Sequence, residues 1–204
     1  MGYLIVSVIG YILGCSNMAI YLAKLKGVNL MANGSGNPGA SNATILMGWR
    51  AGVLVAIHDI GKAMLAVLIA KLLFPDLVGG AEAAGVACVV GHVFPAVFKF
   101  KGGKGFASFI GMMVALNWKF AIFVLAAVVI VTLVFDYLVI GTTLTVVSLP
   151  AYLAVTLAGW LPVLLVCVAT AVIIYKHRVN YVRIWKGTEI GLRSTIKGEH
   201  RVKK

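Results

Sequence analysis

Long apolar stretches dominate the chain, interrupted by three markedly polar segments at 24–51, 99–104 and 176–204. Removing them leaves apolar blocks of 23, 47 and 71 residues, at 1–23, 52–98 and 105–175. A helix needs about 20 apolar residues to cross a bilayer. The first block therefore predicts one span, and the second predicts two with a turn from Phe74-Pro75-Asp76 through Glu82. The polar segments hold most of the cations, and cytoplasmic loops collect Lys and Arg. With all three on that side, the third block must cross an even number of times. Two helices of about 35 residues would overshoot the bilayer. Four short spans are expected instead, turning at Asn117-Trp118-Lys119, Asp136-Tyr137 and Gly159-Trp160-Leu161-Pro162, each polar or rich in helix breakers.

The prediction is an all-α polytopic membrane protein of seven transmembrane helices, a single domain over residues 1–204, with the N-terminus outside and the C-terminus cytoplasmic. The shortest span, at 105–117, is expected to be tilted or partly re-entrant, and Pro150 is expected to kink the sixth. Met1 to Ala23 lacks a basic leading region and is long enough to span, so it is expected to stay rather than be cleaved. No internal repeat of the kind found in secondary transporters is evident.

Composition agrees. Hydrophobic residues make up 61%, charged residues 12%, and the mean hydropathy is +1.02. A soluble domain of this size could not hide so much apolar surface, so soluble, disordered and disulfide-stapled classes are excluded. Eighteen Lys and Arg face six Asp and Glu, for a net charge of +12. Nine of those cations lie between Lys176 and Lys204, and six more are Lys24, Lys26, Arg50, Lys99, Lys101 and Lys104. This clustering beside apolar spans points to anionic lipid heads and small phosphorylated substrates, not to nucleic acid. Of the acidic residues, Asp59 alone is expected within a span; Asp76 and Glu82 read as external, Asp136 as part of a turn, and Glu189 and Glu199 as part of the tail. Cys15, Cys88 and Cys167 each fall within an apolar stretch without metal-ligand spacing, and are expected to be packed and buried.

Three segments carry chemistry. The first contains Asn33-Gly-Ser-Gly-Asn-Pro-Gly-Ala-Ser-Asn42. Its Gly34 to Gly39 match to G-x-G-x-x-G lacks the βαβ setting of a dinucleotide site and is rejected. Glycine-rich backbone can still form an anion-binding nest, with Ser35 and Asn37 as added donors. An ordinary flexible loop would use the same residues, and composition does not choose between the two. The second segment is Gly91-His-Val-Phe-Pro95 followed by Phe98-Lys-Phe-Lys-Gly-Gly-Lys-Gly105. Glycines on both sides of Lys104 would let its ammonium approach a phosphate, whereas the Walker spacing that would suggest ATP is absent. Lys99 and Lys101 are expected to snorkel, and a lone His such as His92 is more often structural. In the third segment, His177, Asn180 and Arg183 recur at helical spacing and share a face. Lys186-Gly-Thr-Glu189 follows, and the tail from Arg193 to Lys204 is expected to be solvated and attracted to lipid.

All three segments are expected on one side, where they can converge on one site. Too few acidic ligands argue against a metal-dependent hydrolase, so neither metal nor other cofactor is expected. The lack of a Ser-His-Asp or Cys-His set argues against an acyl-enzyme. Such a site can bind phosphates and stabilise developing negative charge. The three motifs, in this order and at this length, resemble those of the bacterial acyl-phosphate:glycerol-3-phosphate acyltransferases, over essentially the whole chain. Two departures stand out: Ile45 where the family usually has Arg, for which Arg50 is a candidate substitute, and Gly191 where many members have a basic residue.

The resemblance implies transfer of a fatty acyl group from acyl phosphate to the 1-hydroxyl of glycerol 3-phosphate, giving lysophosphatidic acid and phosphate. It implies an active site at the cytoplasmic face of the bacterial inner membrane, and a monomer is expected. Ser35, Lys104, His177 and Asn180 are the expected catalytic residues. Gly34, Gly36, Asn37, Asn42, His92, Gly102, Gly103, Gly105, Arg183 and Glu189 are the expected substrate-binding ones. Direct transfer is expected, with the donor phosphate on Ser35, Gly36, Asn37 and Lys104, and glycerol 3-phosphate on His177, Asn180 and Arg183. Either His177 or the donor phosphate takes the proton. The competing reading is a transporter of an anionic phosphorylated solute, against which stand the missing repeats and the one-sided polar motifs.

Overall fold

The computed structural model describes residues 1–193, and the expectations for Glu199 and for the tail beyond Arg193 lie outside them. The described chain is all-helical: α1 (Gly2–Cys15), α2 (Met18–Leu25), α3 (Ala40–Met47), α4 (Trp49–Leu73), α5 (Gly80–Val93), α6 (Phe106–Leu116), α7 (Trp118–Phe135), α8 (Leu138–Val155) and α9 (Trp160–Trp185), with a 3₁₀ turn at Ala96–Phe98. Six stretches are long and apolar enough to cross a bilayer: Gly2–Leu25, Trp49–Leu73, Gly80–Phe98, Trp118–Phe135, Leu138–Val155 and Trp160–Trp185.

Of the seven expected spans, six reach the length needed to cross a bilayer alone and the seventh does not. The stretch at 105–117 forms α6, which has 11 residues and a length of about 16 Å, roughly half the hydrocarbon thickness. It lies inside the bundle, where Phe109, Met112 and Met113 are fully buried. Neighbouring helices rather than lipid surround it, so it need not match the membrane. Gly111 lets it press against the backbone of Ile60 on α4. Its far end meets the last turn of α4, where Lys71 Nζ donates to the Ala115 carbonyl (2.6 Å).

The first span is also not the single helix that 1–23 predicts. It breaks between Cys15 and Met18, because Asn17 adopts extended backbone and caps α2, accepting from Ile20 N (3.0 Å). Polar side chains of this type compete with helix by bonding locally.

Small residues govern the packing. A Cβ at Gly10 or Gly14 of α1 would strike the carbonyls of Ala84 and Cys88 on α5, and one at Gly91 would strike Tyr11. Without a hydrophobic drive between helices in lipid, such close approach supplies the packing energy. The main core joins α5 to α9 through Val89, Phe109, Met112, Val146, Leu149 and Ile173. Apolar residues such as Phe123, Ile130 and Val134 of α7 face outward. Cys15 and Cys88 are buried as expected, but Cys167 is exposed; an apolar outer face suits a small thiol in lipid as well as an interior does.

Pro150 sits within α8 and cannot donate to the Val146 carbonyl one turn back. Thr170 of α9 fills that place, its hydroxyl donating to Val146 O (2.7 Å), as hydroxyl side chains do for broken bonds in membranes.

Candidate active site

Asn42 organises the first loop. It is fully buried in the first turn of α3. Its Oδ1 accepts from Ser35 N (2.8 Å), and its Nδ2 donates to the carbonyls of Leu30 (3.0 Å) and Asn33 (3.3 Å). The loop closes so tightly that a Cβ at Gly34 would collide with Asn42 Oδ1, and Gly34 and Gly36 both have positive φ, at 62° and 70°. Asn17 reaches in from the α1–α2 break, donating from Nδ2 to the Pro38 carbonyl (3.3 Å). Two expectations change. The amides of Ser35, Gly36 and Gly39 point at acceptors inside the loop, so they form no anion nest. Asn42 shapes the loop from within instead of facing substrate. Ser35 and Asn37 remain partly exposed on it, and Gly36 is exposed.

The second segment folds back on the end of α5. Gly102 N donates to Val93 O (3.2 Å) and Gly103 N to His92 O (3.1 Å). A Cβ at Gly102 would strike the His92 carbonyl, and one at Gly103 would strike the His92 ring at Nε2. At Gly105, φ is 89° and a Cβ would press on Val89, Val93 and Ile173. The three glycines are buried. They allow the loop that carries Lys104 to lie flat on the bundle. Lys99 and Lys101 are exposed, as expected of snorkelling residues. His92, 3% exposed, lies beneath the loop, where it meets protein groups and not the open side.

Lys104 joins the second segment to the third. Its Nζ donates to Asn180 Oδ1 (2.5 Å), and Asn180 Nδ2 donates to Glu189 Oε1 (2.5 Å). Burial holds the Lys104 ammonium below the ordinary lysine range; the Glu189 carboxylate opposes this, and Arg183 and Lys176 reinforce it. One turn before Asn180, His177 is 7% exposed and its Nδ1 faces the Ile173 carbonyl (2.9 Å). A carbonyl only accepts, so Nδ1 carries the hydrogen and a neutral ring presents Nε2 as an acceptor.

Glu189 is held by the segment after α9. The helix ends at Gly187 (φ 65°), and the amides of Thr188 and Glu189 turn back to the Arg183 carbonyl (2.8 and 3.2 Å). Beyond it, Leu192 N donates to Asp136 O (2.7 Å) and Arg193 N to Asp136 Oδ1 (2.8 Å). A Cβ at Gly191 would collide with the Asp136 carboxylate, which accounts for glycine at this position. Ile45 has no such account. Arg50, the candidate to replace the missing Arg, instead lies over the Trp49 ring at 5.6 Å.

Sequence reasoning placed Asp59 within a span but missed the buried group it forms. Asp59 and Lys62 of α4 are 2% and 6% exposed, with Nζ 3.2 Å from Asp59 Oδ1. Lys62 Nζ also donates to the carbonyls of Gly14 (3.0 Å) and Ser16 (2.6 Å) and lies 2.9 Å from His92 Nδ1. His58 bridges Asp59 Oδ1 (3.2 Å) and Ser16 Oγ (3.0 Å). Opposite charges three residues apart inside an apolar span were the available signal.

Comparison with known proteins agrees over nearly the whole chain. A family model described as glycerol-3-phosphate acyltransferase matches residues 4–187. Glycerol-3-phosphate acyltransferase 1 of Oceanobacillus iheyensis is 36% identical over 193 residues, covering 90% of this chain and 92% of that protein. The Coxiella burnetii glycerol-3-phosphate acyltransferase is 38% identical over 194 residues, covering 93% and 97%. The crystal structure of PlsY, an integral membrane glycerol 3-phosphate acyltransferase, in its glycerol 3-phosphate form superposes with a TM-score of 0.90 at 32% identity, covering 97% of this chain and 98% of that one. Its lysophosphatidic acid form gives 0.85 at 33% identity.

Proposed function

The chain belongs to the glycerol-3-phosphate acyltransferase family, and we propose that it takes its acyl group from acyl phosphate, placing it directly on the 1-hydroxyl of glycerol 3-phosphate without an acyl-enzyme. The observation that carries this reading is the Lys104–Asn180–Glu189 chain of short hydrogen bonds. It sets an ammonium at the meeting point of two polar segments, with Arg183 and Lys176 close enough to act on its charge. Acyl phosphate is already activated, so the protein need only position the reactants and neutralise charge.

In this mechanism the donor phosphate rests against the side chains of Lys104, Ser35 and Asn37. Glycerol 3-phosphate lies along α9, its phosphate toward Arg183. His177 Nε2 accepts a hydrogen bond from the 1-hydroxyl and aims its oxygen at the acyl carbon, while the Ile173 carbonyl fixes the ring. The new C–O bond forms as the bond from acyl carbon to phosphate oxygen breaks, and His177 Nε2 takes the hydroxyl proton and hands it to the departing phosphate. The acyl chain lies against lipid. The positive clustering beside the spans supports a cytoplasmic site in the inner membrane, with the N-terminus outside.

Purified protein in lipid, given acyl phosphate and glycerol 3-phosphate, should make lysophosphatidic acid, while acyl-CoA in parallel should not serve. Ser35→Ala and Lys104→Ala should abolish turnover and leave membrane insertion intact. Wild-type-like turnover in Lys104→Ala would remove the ammonium from the mechanism.

A further inference from the structure

We propose that Lys62, neutralised by Asp59, is a positioning residue for acyl transfer, setting the Ser35 loop and the Lys104 loop in register with each other. The proposal rests on the functional reading above and extends it to residues that touch no substrate. Both loops hang on the region around the α1–α2 break. On one side of the break, Asn17 holds the first loop through the Pro38 carbonyl. On the other, His92 underlies the second, with its Nε2 against Gly103 and its own carbonyl bonded to Gly103 N. Lys62 connects the two sides. Its ammonium binds the carbonyls of Gly14 and Ser16, the ends that α1 leaves open, and reaches His92 Nδ1.

Both members of the pair face His92 Nδ1, Lys62 Nζ at 2.9 Å and Asp59 Oδ1 at 3.5 Å, so the ring is held from α4 while its Nε2 faces Gly103. His58 grips the break a second time through Ser16 Oγ and returns to Asp59. A charged pair inside an apolar bundle is costly, and replacing it with apolar residues is often neutral for stability. Its placement under both substrate loops therefore points to geometry rather than to folding. A site whose reactants sit on two loops loses rate steeply when the loops shift by about 1 Å.

The test compares wild type, Lys62→Met and the paired Asp59→Asn/Lys62→Met, which leaves no unpaired buried charge. Each is purified in lipid and assayed with acyl phosphate and glycerol 3-phosphate. In parallel, spin labels on Asn37→Cys and Lys101→Cys, in a Cys167→Ser background, report the distance between loops. The expected result for both variants is a kcat at least tenfold lower on folded protein, with a broadened or displaced distance distribution. A kcat within twofold of wild type with an unchanged distribution overturns the proposal. So does a lowered unfolding midpoint with the kcat per folded molecule retained. If neither Lys62 variant folds, His92→Gln severs the bridge while keeping Asp59 and Lys62, and the same two outcomes decide. Failure of wild type itself to use acyl phosphate would refute the donor reading, while the distance measurement would still judge the bridge.

Discussion

Replacing Glu189 by Gln keeps the size and planarity of the side chain and removes its charge. In the structure this carboxylate receives the Asn180 amide at 2.5 Å, and Asn180 in turn receives Lys104 at 2.5 Å. A hydrogen bond to a charged group contributes about 1.5–3 kcal/mol. Glu189 is only partly buried, so the lower part of that range applies, about 1.5–2 kcal/mol, or roughly a 10- to 30-fold loss in kcat/KM. A second effect separates charge from geometry. Burial already holds Lys104 below its ordinary value of 10.5, and Glu189 is the group that opposes this. Without it the ammonium is lost at lower pH, so the alkaline limb of the rate profile should move toward neutrality. Folding does not mimic that limb. A lysine with a depressed folded-state pKa binds fewer protons folded than unfolded, so its contribution to stability rises with pH through the interval up to 10.5. The assay is steady-state turnover of both substrates from pH 6 to 10 on protein in lipid, with unfolding followed at each pH. A Glu189→Gln enzyme within twofold of wild type, with a superimposable alkaline limb, would refute the reasoning.

Two further predictions concern packing. Gly103→Ala puts a Cβ into the His92 ring while Gly103 N is bonded to the His92 carbonyl. The overpacking strain of about 1–3 kcal/mol must lift the loop or turn the ring, so kcat/KM should fall at least about tenfold with insertion unchanged, as steady-state kinetics would show. Thr170→Val leaves Val146 O without a donor, because Pro150 cannot supply one. Unfolding should become easier by about 0.6–1 kcal/mol with kcat retained, and the cost should shrink toward zero in a Pro150→Ala background, a double-mutant cycle that equilibrium unfolding can read.

Most of the helical plan was legible because apolar length is a local property. The turns at Asn117, Asp136 and Gly159 fall between helices as the pattern predicts. The misreadings have one source. A hydropathy count treats every apolar helix as facing lipid, whereas α6 is lined by other helices and is free to be short. Likewise, a glycine-rich run does not say where its amides go, and those of Gly102 and Gly103 are taken by the end of α5. Which partner an amide finds depends on what folds against it, and composition is silent on that.

What the chain determined by itself is its solvent, its helices and its chemistry. A 61% apolar composition requires a membrane, the cations gather in three segments, and the motifs mark Ser35, Lys104, His177 and Asn180 as candidate site residues. Tertiary structure decided which of these meet. It brought Lys104 to Asn180 and Glu189 across 76 and 85 residues of sequence, turned Asn42 inward, and set Asp59 and Lys62 beneath the loops. Periodicity assigns a residue to a face of its own helix. Only the packing of one helix on another, set here by glycines at van der Waals limits, determines what that face will touch.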